Sequence, residues 1–258
     1  MRIPRIYTPQ PLADGTTLTI SGQAAHHITH VLRLRAGAAL ILFGEGREYH
    51  AVLSDIRRAE VTIDVGAAAG HMDESSIDVK LLQGIARHDR MDVILQKSVE
   101  LGVNSIQPLW MQRSQSRLKG ERLEKRIQHW RGVIISACEQ CGRTTLPELL
   151  PPEEYAHHIN TQACDGLKLM LQPDSSTALN DIQAPGGMIY LLVGPEGGLT
   201  PDEQTLASSA GFTGIRLGQR ILRTETAALA AIAGMQTLWG DFKQASTETL
   251  VGAPRRRE

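Results

Sequence analysis

The chain has 258 residues, of which 41% are hydrophobic and 21% charged, a composition typical of one or two soluble globular domains. No apolar run approaches the ~18 residues of a membrane span, and the first residues lack the apolar segment of a signal peptide. The odd number of cysteines, three, and the missing export signal predict reduced thiols in a cytoplasmic protein without a membrane anchor.

Two candidate metal motifs are incomplete. Cys138 and Cys141 form a lone CxxC without the second pair that a zinc site would need, so they are interpreted as small buried side chains. The cluster His26, His27 and His30 has no acid at ligand spacing. The sequence therefore predicts no metal site.

The net charge of −1 conceals two basic clusters. The first 37 residues contain four arginines, Arg2, Arg5, Arg33 and Arg35, and only one acid, Asp14. Seven further basic residues lie between positions 111 and 131 against only two acids. Such clusters either bind phosphate or form a solvated helix face, and the pattern leaves both open.

The residues up to about position 70 are rich in short apolar runs separated by turn signals, which predicts a small β-barrel or an open sheet. A hairpin turn is expected at 44–46, a short helix at 26–34 and a linker at 66–76. The predicted strands are Thr17–Ser21, Ala39–Phe43, Tyr49–Leu53 and Glu60–Val65.

After the predicted linker, strands alternate with helices, which predicts a mostly parallel α/β sheet covered on both faces. The predicted strands are Val79–Ile85, Ser105–Leu109, Leu167–Leu171, Met188–Val193 and Gly214–Leu217. The predicted helices are Asp89–Leu101, capped by Asp89, and Lys119–Gln140, Thr200–Ala210 and Thr224–Gly240. Because ligands of such sheets bind beyond the carboxyl ends of the strands, the loops at 172–174, 194–199 and 218–223 are the expected site.

The loop Gly194-Pro195-Glu196-Gly197-Gly198 has three glycines within five residues, more than a plain turn requires. Thr200, Pro201 and Glu203 then form a strong helix start. A P-loop and the GxGxxG fingerprint are both absent. Because Glu196 would repel a phosphate, a cationic or neutral ligand such as a sulfonium or an adenosine is favoured. Glu196 itself is either an N–H-capping carboxylate that shapes the loop or a residue that takes part in the chemistry.

A second glycine-containing loop precedes the last predicted helix. Gly218 permits close approach to the backbone, and Thr224 is the expected cap of the helix. Arg223 and Glu225 are either a mutual ion pair at the helix start or functional charges.

Four motifs in register, GPEGGLTPDE, LGQRILRTETAALAA, LQKSVELGV and ACEQCGR, resemble the RsmE family of SPOUT-class 16S ribosomal RNA methyltransferases. The resemblance extends from the N-terminus to about residue 241. It implies a PUA-like RNA-binding β-barrel at 1–72, a SPOUT α/β domain with a trefoil knot at 73–244, and a homodimer. Outside the resemblance, the three arginines near the C-terminus predict a flexible basic tail at 245–258.

The resemblance further implies that S-adenosylmethionine is bound by three loops. Their residues are Leu171, Gln172, Gly194, Pro195, Glu196, Gly197, Gly198, Leu217, Gly218, Ile221, Leu222, Arg223, Thr226 and Ala227. Many relatives carry histidine where this chain has Gln172, so one contact of that loop is expected to differ.

The implied reaction is methylation of N3 of a uridine, position 1498 in the usual rRNA numbering, within the 30S subunit. The imide must lose its proton, so cations that stabilise the anion and a carboxylate base are expected. The candidates are Arg143 and Arg223 for the anion and Glu196 and Glu225 for the base. The predicted RNA-binding residues are Arg2, Arg5, His30, Arg33, Arg113 and Arg117.

Two other functions stay open from the sequence. One is a SPOUT enzyme with another target, a ribose 2′-hydroxyl or a guanine nitrogen. The other is a non-catalytic RNA-binding protein with a relic of the catalytic domain, against which the intact glycine loops argue.

Overall fold

The structure is a computed structural model that describes residues 3–58, 60–70, 72–115, 117–161 and 165–242, and only the backbone of His88. The predicted RNA contact Arg2, the third cysteine Cys164 and the predicted tail at 245–258 lie outside the described residues. The chain forms two compact units. The first contains the described residues up to Glu74 together with Gln128–Pro147, and the second contains Ser75–Ile127 and the described residues from Glu148 onward. The boundaries 1–72 and 73–244 remain a prediction.

The first unit is built on a five-stranded sheet with the order β1-β3-β4-β5-β2. Strands β1 and β3 are parallel, and the other pairs are antiparallel. Alternate residues of β3, β4 and β5 are buried in one apolar core. The strands are β1 Arg5–Tyr7, β2 Thr17–Ser21, β3 Ala39–Gly44, β4 Arg47–Arg57 and β5 Glu60–Gly70.

The predicted hairpin between β3 and β4 is confirmed. Glu45 and Gly46 both have positive φ, 52° and 77°, as a two-residue turn that matches strand twist requires. The predicted linker at 66–76 is wrong in its first half, since β5 continues to Gly70. The end of β5 pairs with the start of β4, Ala68 with Tyr49 and Gly70 with Glu48. The register of the two strands shifts at these positions, as in a β-bulge.

The predicted helix at 26–34 is displaced toward the N-terminus. Helix α1, Gly22–His26, is followed by a π-helical turn at His27–Val31. Arg33 then adopts φ +53°, a left-handed conformation that ends helical geometry because it is unfavourable for a side chain with a Cβ.

The long helix α3, Glu121–Cys141, contributes its second half to the first unit. Trp130, Ile134, Ala137 and Cys138 are buried at helical spacing. Cys138 is the small buried side chain that the sequence predicted, and its burial raises the pKa of the thiol to about 12. The same prediction is wrong for Cys141, which is only partly buried.

The second unit is a parallel sheet with the order β12-β10-β11-β6-β7-β8, in which β9 also pairs with β7. Its strands are β6 Val79–Gly84, β7 Ser105–Trp110, β8 Glu148–Leu149, β9 Glu153–Glu154, β10 Leu167–Leu171, β11 Ile189–Val193 and β12 Thr213–Ile215. Its helices are α2 His88–Glu100, the first half of α3, α4 Tyr155–Thr161, α5 Pro201–Ser209 and α6 Thr224–Leu238. The short elements β8, β9 and α4 were not predicted, because they are too short for a periodic pattern.

Three predicted helix ends can be compared with the structure. Helix α5 begins with the predicted capping box of Thr200 and Glu203. In α2, however, Arg87 is the N-cap and Asp89 lies inside the first turn. In α6 the N-cap is Arg223, and the hydroxyl of Thr224 donates to the Gly194 carbonyl instead of capping the helix.

The path of the chain between β12 and α6 brings the last helix back to the middle of the sheet. Strand β12 lies at the edge, beside β10. The chain then returns past β11, where the Thr224 hydroxyl donates to the Gly194 carbonyl. Helix α6 packs on α2, the helix between β6 and β7, and the Gln236 amide donates to the Leu101 carbonyl.

Candidate cofactor site

The loops after β10, β11 and β12 line a single cleft of about 360 Å³ at the carboxyl ends of their strands. This is the position that the strand–helix alternation predicted. Twelve of the fourteen predicted cofactor residues line the cleft: Leu171, Gln172, Gly194, Pro195, Glu196, Gly197, Gly198, Leu217, Gly218, Ile221, Leu222 and Ala227. The other two, Arg223 and Thr226, are exposed and do not line it.

Glycines are required in the cleft for two reasons. Gly198 and Gly218 have φ +69° and +78°, which disfavour any side chain. Gly194 has no room, since a Cβ would lie 2.9 Å from the carbonyl carbon of Gly198 and the nitrogen of Leu199. The loop after β11 therefore folds back on itself at van der Waals distance.

A buried polar network joins three separate segments beneath the cleft. The Thr224 hydroxyl at the start of α6 donates to the Gly194 carbonyl at 2.6 Å. The amide of Gln83, at the end of β6, donates to the Thr224 hydroxyl at 3.1 Å and to the Gly84 carbonyl at 2.9 Å. Because Gln83 is fully buried, these bonds satisfy amide N–H groups that would otherwise be costly, although its Oε1 is buried without a hydrogen-bond partner. The network fixes the glycine loop against α6.

The Glu196 carboxylate faces the N-terminus of α2. Its Oε1 accepts a hydrogen bond of 2.8 Å from the backbone amide of Arg87, the N-cap of that helix. The same oxygen lies 3.6 Å from Nη1 of Arg90. A carboxylate at a helix N-terminus is favoured by the helix dipole. The contacts support the interpretation of Glu196 as an N–H cap that shapes the loop.

Glu225 contacts the same arginine. Its Oε1 lies 3.9 Å from Nε of Arg90, and its Oε2 is buried without a hydrogen-bond partner. The sequence offered Arg223 as the alternative partner of Glu225, and the ion pair of the structure is instead with Arg90.

Arg113, predicted to bind RNA, lines the cleft. Its Nη1 donates to the Gly197 carbonyl at 2.6 Å, and its aliphatic stem packs on Gly197 so closely that a Cβ there would lie 2.9 Å from the Cβ of Arg113. Arg113 therefore supports the glycine loop from the β7–α3 connection.

The other predicted arginines have different environments. Arg117 forms an ion pair with Glu154 at the surface. In the first unit, the Arg5 guanidinium is buried, pairs with Glu48, and donates to the carbonyls of Gly142 and Arg143 at 2.9 Å. This burial argues against the predicted phosphate contact. Arg5 instead satisfies the backbone carbonyls that follow the C-terminus of α3.

Arg143, predicted to stabilise the anion, is buried in the first unit and forms an ion pair with Glu74. Two further predicted RNA contacts in that unit, His30 and Arg33, are exposed. The ring of His30 stacks on that of His26, with centroids 4.5 Å apart and 10° between their planes.

Two residues that contact the loops of the cleft without lining it were not predicted. Gln83 and Arg90 come from β6 and α2, outside the three loops, so loop position could not reveal them. Three charged residues that line the cleft were also missed, and their charge was the available signal. Asp174 and Arg220 lie inside the predicted loops, and Arg216 lies in the predicted strand Gly214–Leu217.

Within the described residues, no three histidine, cysteine or acidic side chains are grouped as a metal site. No helix of that part of the chain is long and apolar enough to cross a membrane.

Comparison with known proteins assigns the class. Residues 73–236 match the family model of an RNA methyltransferase domain, and residues 20–65 match an RNA methyltransferase PUA domain. The ribosomal RNA small subunit methyltransferase E of Buchnera aphidicola from Acyrthosiphon pisum is 32% identical over 94% of this chain and 96% of its own. That of Bacillus subtilis is 28% identical over 88% and 93%.

Solved structures give the same assignment. The ribosomal RNA small subunit methyltransferase E of Neisseria gonorrhoeae bound to S-adenosyl methionine is 43% identical, with a TM-score of 0.89 over 94% of this chain and 100% of that one. A putative methyltransferase of Legionella pneumophila in complex with the same cofactor is 36% identical, also with a TM-score of 0.89, over 93% and 100%. The chain belongs to the ribosomal RNA small subunit methyltransferase E family, RsmE.

Proposed function

We propose that this protein transfers a methyl group from S-adenosylmethionine to N3 of a uridine in 16S ribosomal RNA of the small subunit. The observation that carries the proposal is the cleft of the parallel sheet, in a chain whose relatives of the same fold bind this cofactor. The uridine N3 target is the one that the RsmE resemblance implies.

The lining of the cleft fits the cofactor. Leu171, Ile221, Leu222 and Ala227 provide apolar surface for an adenine, and the open space beside Gly218 leaves its backbone accessible. A nucleoside with a charged amino-acid tail requires such a mixture of apolar surface and backbone groups. Bound S-adenosylmethionine would supply an electrophilic methyl group at a sulfonium.

The chain's own residues must generate and orient the nucleophile. The N3 imide of uridine becomes nucleophilic when it loses its proton, and the charge then spreads onto O2 and O4. Arg223, whose side chain is exposed, is the proposed donor to that charge, whereas the burial of Arg143 and its ion pair with Glu74 argue against the same role for Arg143. Glu225, which has an oxygen without a partner, is the proposed base. The N3–methyl bond then forms as the sulfonium–methyl bond breaks, a displacement that depends on in-line positioning.

The proposal also includes a trefoil knot, a PUA-like barrel, a homodimer and a cytoplasmic location. The return of the chain from the edge strand β12 to α6 supports a trefoil knot, and the five-stranded sheet of the first unit supports a PUA-like barrel. Ile221, which lines the cleft, is 85% exposed, and this supports burial of its outer side by a second subunit of a homodimer. The 30S subunit as the substrate supports a cytoplasmic location.

The proposal is tested by mass spectrometry of 16S rRNA from cells with and without the gene, and by methylation of purified 30S subunits. Loss of one 3-methyluridine, restored in vitro with labelled cofactor, is the expected result. A 2′-O-methyl nucleoside or a methylguanine would indicate a different SPOUT target. A folded protein that binds no cofactor in calorimetry would instead support the non-catalytic alternative.

Glu196→Gln distinguishes the two roles of that residue. Glutamine keeps an acceptor for the Arg87 amide but loses the charge that faces Arg90. We therefore expect the Kd for S-adenosylmethionine to rise about 3- to 10-fold, or ~1 kcal/mol, with kcat nearly unchanged. A general base would behave in the opposite way, with an unchanged Kd and a kcat lower by about 100-fold or more. Glu121→Gln, an exposed side chain paired with Lys125, is the control.

Substitutions of Arg33 and Arg5 should have different effects, one on the affinity for RNA and the other on the stability of the fold. Arg33→Asn keeps a residue that tolerates positive φ, and we expect weaker 30S binding with a salt dependence lower by about one phosphate contact. Arg5→Ala should instead lower the free energy of unfolding by about 3 kcal/mol, because it leaves Glu48 and two carbonyls without their donor. The measurements are filter binding at several salt concentrations and urea titration. Equal effects of both variants on RNA affinity, with no change in stability, would contradict this division.

A further inference from the structure

Arg90 is the one described side chain paired with both candidate carboxylates of the site. Its Nη1 lies 3.6 Å from Oε1 of Glu196, in the loop after β11. Its Nε lies 3.9 Å from Oε1 of Glu225, in the first turn of α6. These two carboxylates belong to the two segments that enclose the cleft, whereas Arg90 belongs to α2 and does not line it.

The location of Arg90 is unfavourable for its own helix. It is the third residue of α2, where the helix dipole disfavours a cation. The Arg87 amide at the same helix end donates to Glu196. The unfavourable position of Arg90 in its helix is therefore offset by two acids of other segments, Glu196 and Glu225. This indicates that Arg90 serves to pair with those segments and not to stabilise α2.

The burial of the three side chains strengthens the coupling. Arg90 is 35% exposed, Glu196 21% and Glu225 17%. Two carboxylates at one guanidinium, partly withdrawn from water, repel each other unless the cation remains between them.

We propose that Arg90 is a positioning residue that holds the glycine loop and the start of α6 together in the geometry that binds the cofactor. This inference rests on the proposed function and adds to it a residue outside the cofactor loops. Arg90 acts through Glu196 and Glu225 and does not touch the substrate.

The test compares Arg90→Met, Arg90→Lys, Glu225→Gln and the double variant Arg90→Met/Glu225→Gln. Calorimetry gives the Kd for S-adenosylmethionine, and methylation of 30S subunits gives kcat and KM for the single Arg90 variants. We expect Arg90→Met to raise Kd and KM for the cofactor together by about 10-fold, with kcat within about 3-fold of the parent, because uniform binding is lost. The Kd of Arg90→Lys should lie between those of the parent and of Arg90→Met, since a lysine ammonium cannot pair with both carboxylates in the geometry of a guanidinium.

The double variant removes Arg90 together with one of the two carboxylates that it pairs with. Without one carboxylate the repulsion is absent, so its Kd should be lower than that of Arg90→Met, a non-additive result. Arg57→Met, which breaks an exposed ion pair with Asp55 in the first unit, should leave Kd unchanged. A Kd of Arg90→Met within 2-fold of the parent, or losses that multiply in the double variant, would overturn the role of Arg90. Failure of the parent protein itself to bind the cofactor would contradict the proposed function instead.

Discussion

Replacing Gly194 by alanine is expected to weaken the binding of S-adenosylmethionine by about 100-fold, or ~3 kcal/mol. The added Cβ would lie 2.9 Å from the Gly198 carbonyl carbon and 2.9 Å from the Leu199 nitrogen. Both atoms belong to the backbone, so no side chain can rotate away to make room. The loop must open, and opening displaces the wall of the cleft. Isothermal calorimetry with the purified protein measures the effect.

Gly186→Ala is the matched control for this prediction. A Cβ at Gly186 would meet no atom within 4 Å, and its φ is not positive. Its affinity for the cofactor should equal that of the parent. If Gly194→Ala bound the cofactor as tightly as Gly186→Ala while remaining folded in a thermal melt, the glycine loop would not be the wall of the site.

The position of the site could be predicted because it depends on local patterns. Buried parallel strands are continuous apolar runs, and the glycines of the loop at 194–198 follow one of them directly. Three loops after parallel strands meet at one edge of any such sheet, whatever their separation in sequence. The longer strands and helices of the second unit and the three loops that line its cleft were therefore accessible to sequence reasoning.

The contacts that fix the site could not be predicted in this way. Gln83 contacts Thr224, and Arg90 contacts Glu225, only because the last helix returns to the middle of the sheet. Nothing in the local sequence encodes that return, and a knotted path was expected from the family resemblance alone. In the same way, Arg5 looked like an exposed cation in a basic cluster, and only its long-range pairing with Glu48 shows its structural role.

The linker expected at 66–76 illustrates the limit of composition. Small and polar residues usually mark a loop, yet Ala68 and Gly70 pair with the first residues of β4. A long partner strand can extend an antiparallel ladder over residues of low β propensity, because tertiary context outweighs that propensity.

Thr224→Val is expected to lower the free energy of unfolding by about 2 kcal/mol. Valine has nearly the shape of threonine, so no cavity forms and the loss is that of the hydroxyl alone. The Gly194 carbonyl then has no donor from α6, and the Gln83 amide loses one of its acceptors in a fully buried place. Urea titration at a fixed protein concentration measures the change.

Two further variants isolate the cause. Thr224→Ser keeps the hydroxyl and should recover most of the stability. Thr237→Val changes an exposed threonine of the same helix, whose hydroxyl donates only to the Ala233 carbonyl, and should alter the stability by less than ~0.5 kcal/mol. Equal stabilities of the Thr224→Val and Thr237→Val proteins would mean that the buried network does not hold the loop. Because the network joins β6, the glycine loop and α6, its loss should also raise the Kd for the cofactor, a coupling that a purely local helix defect would not produce.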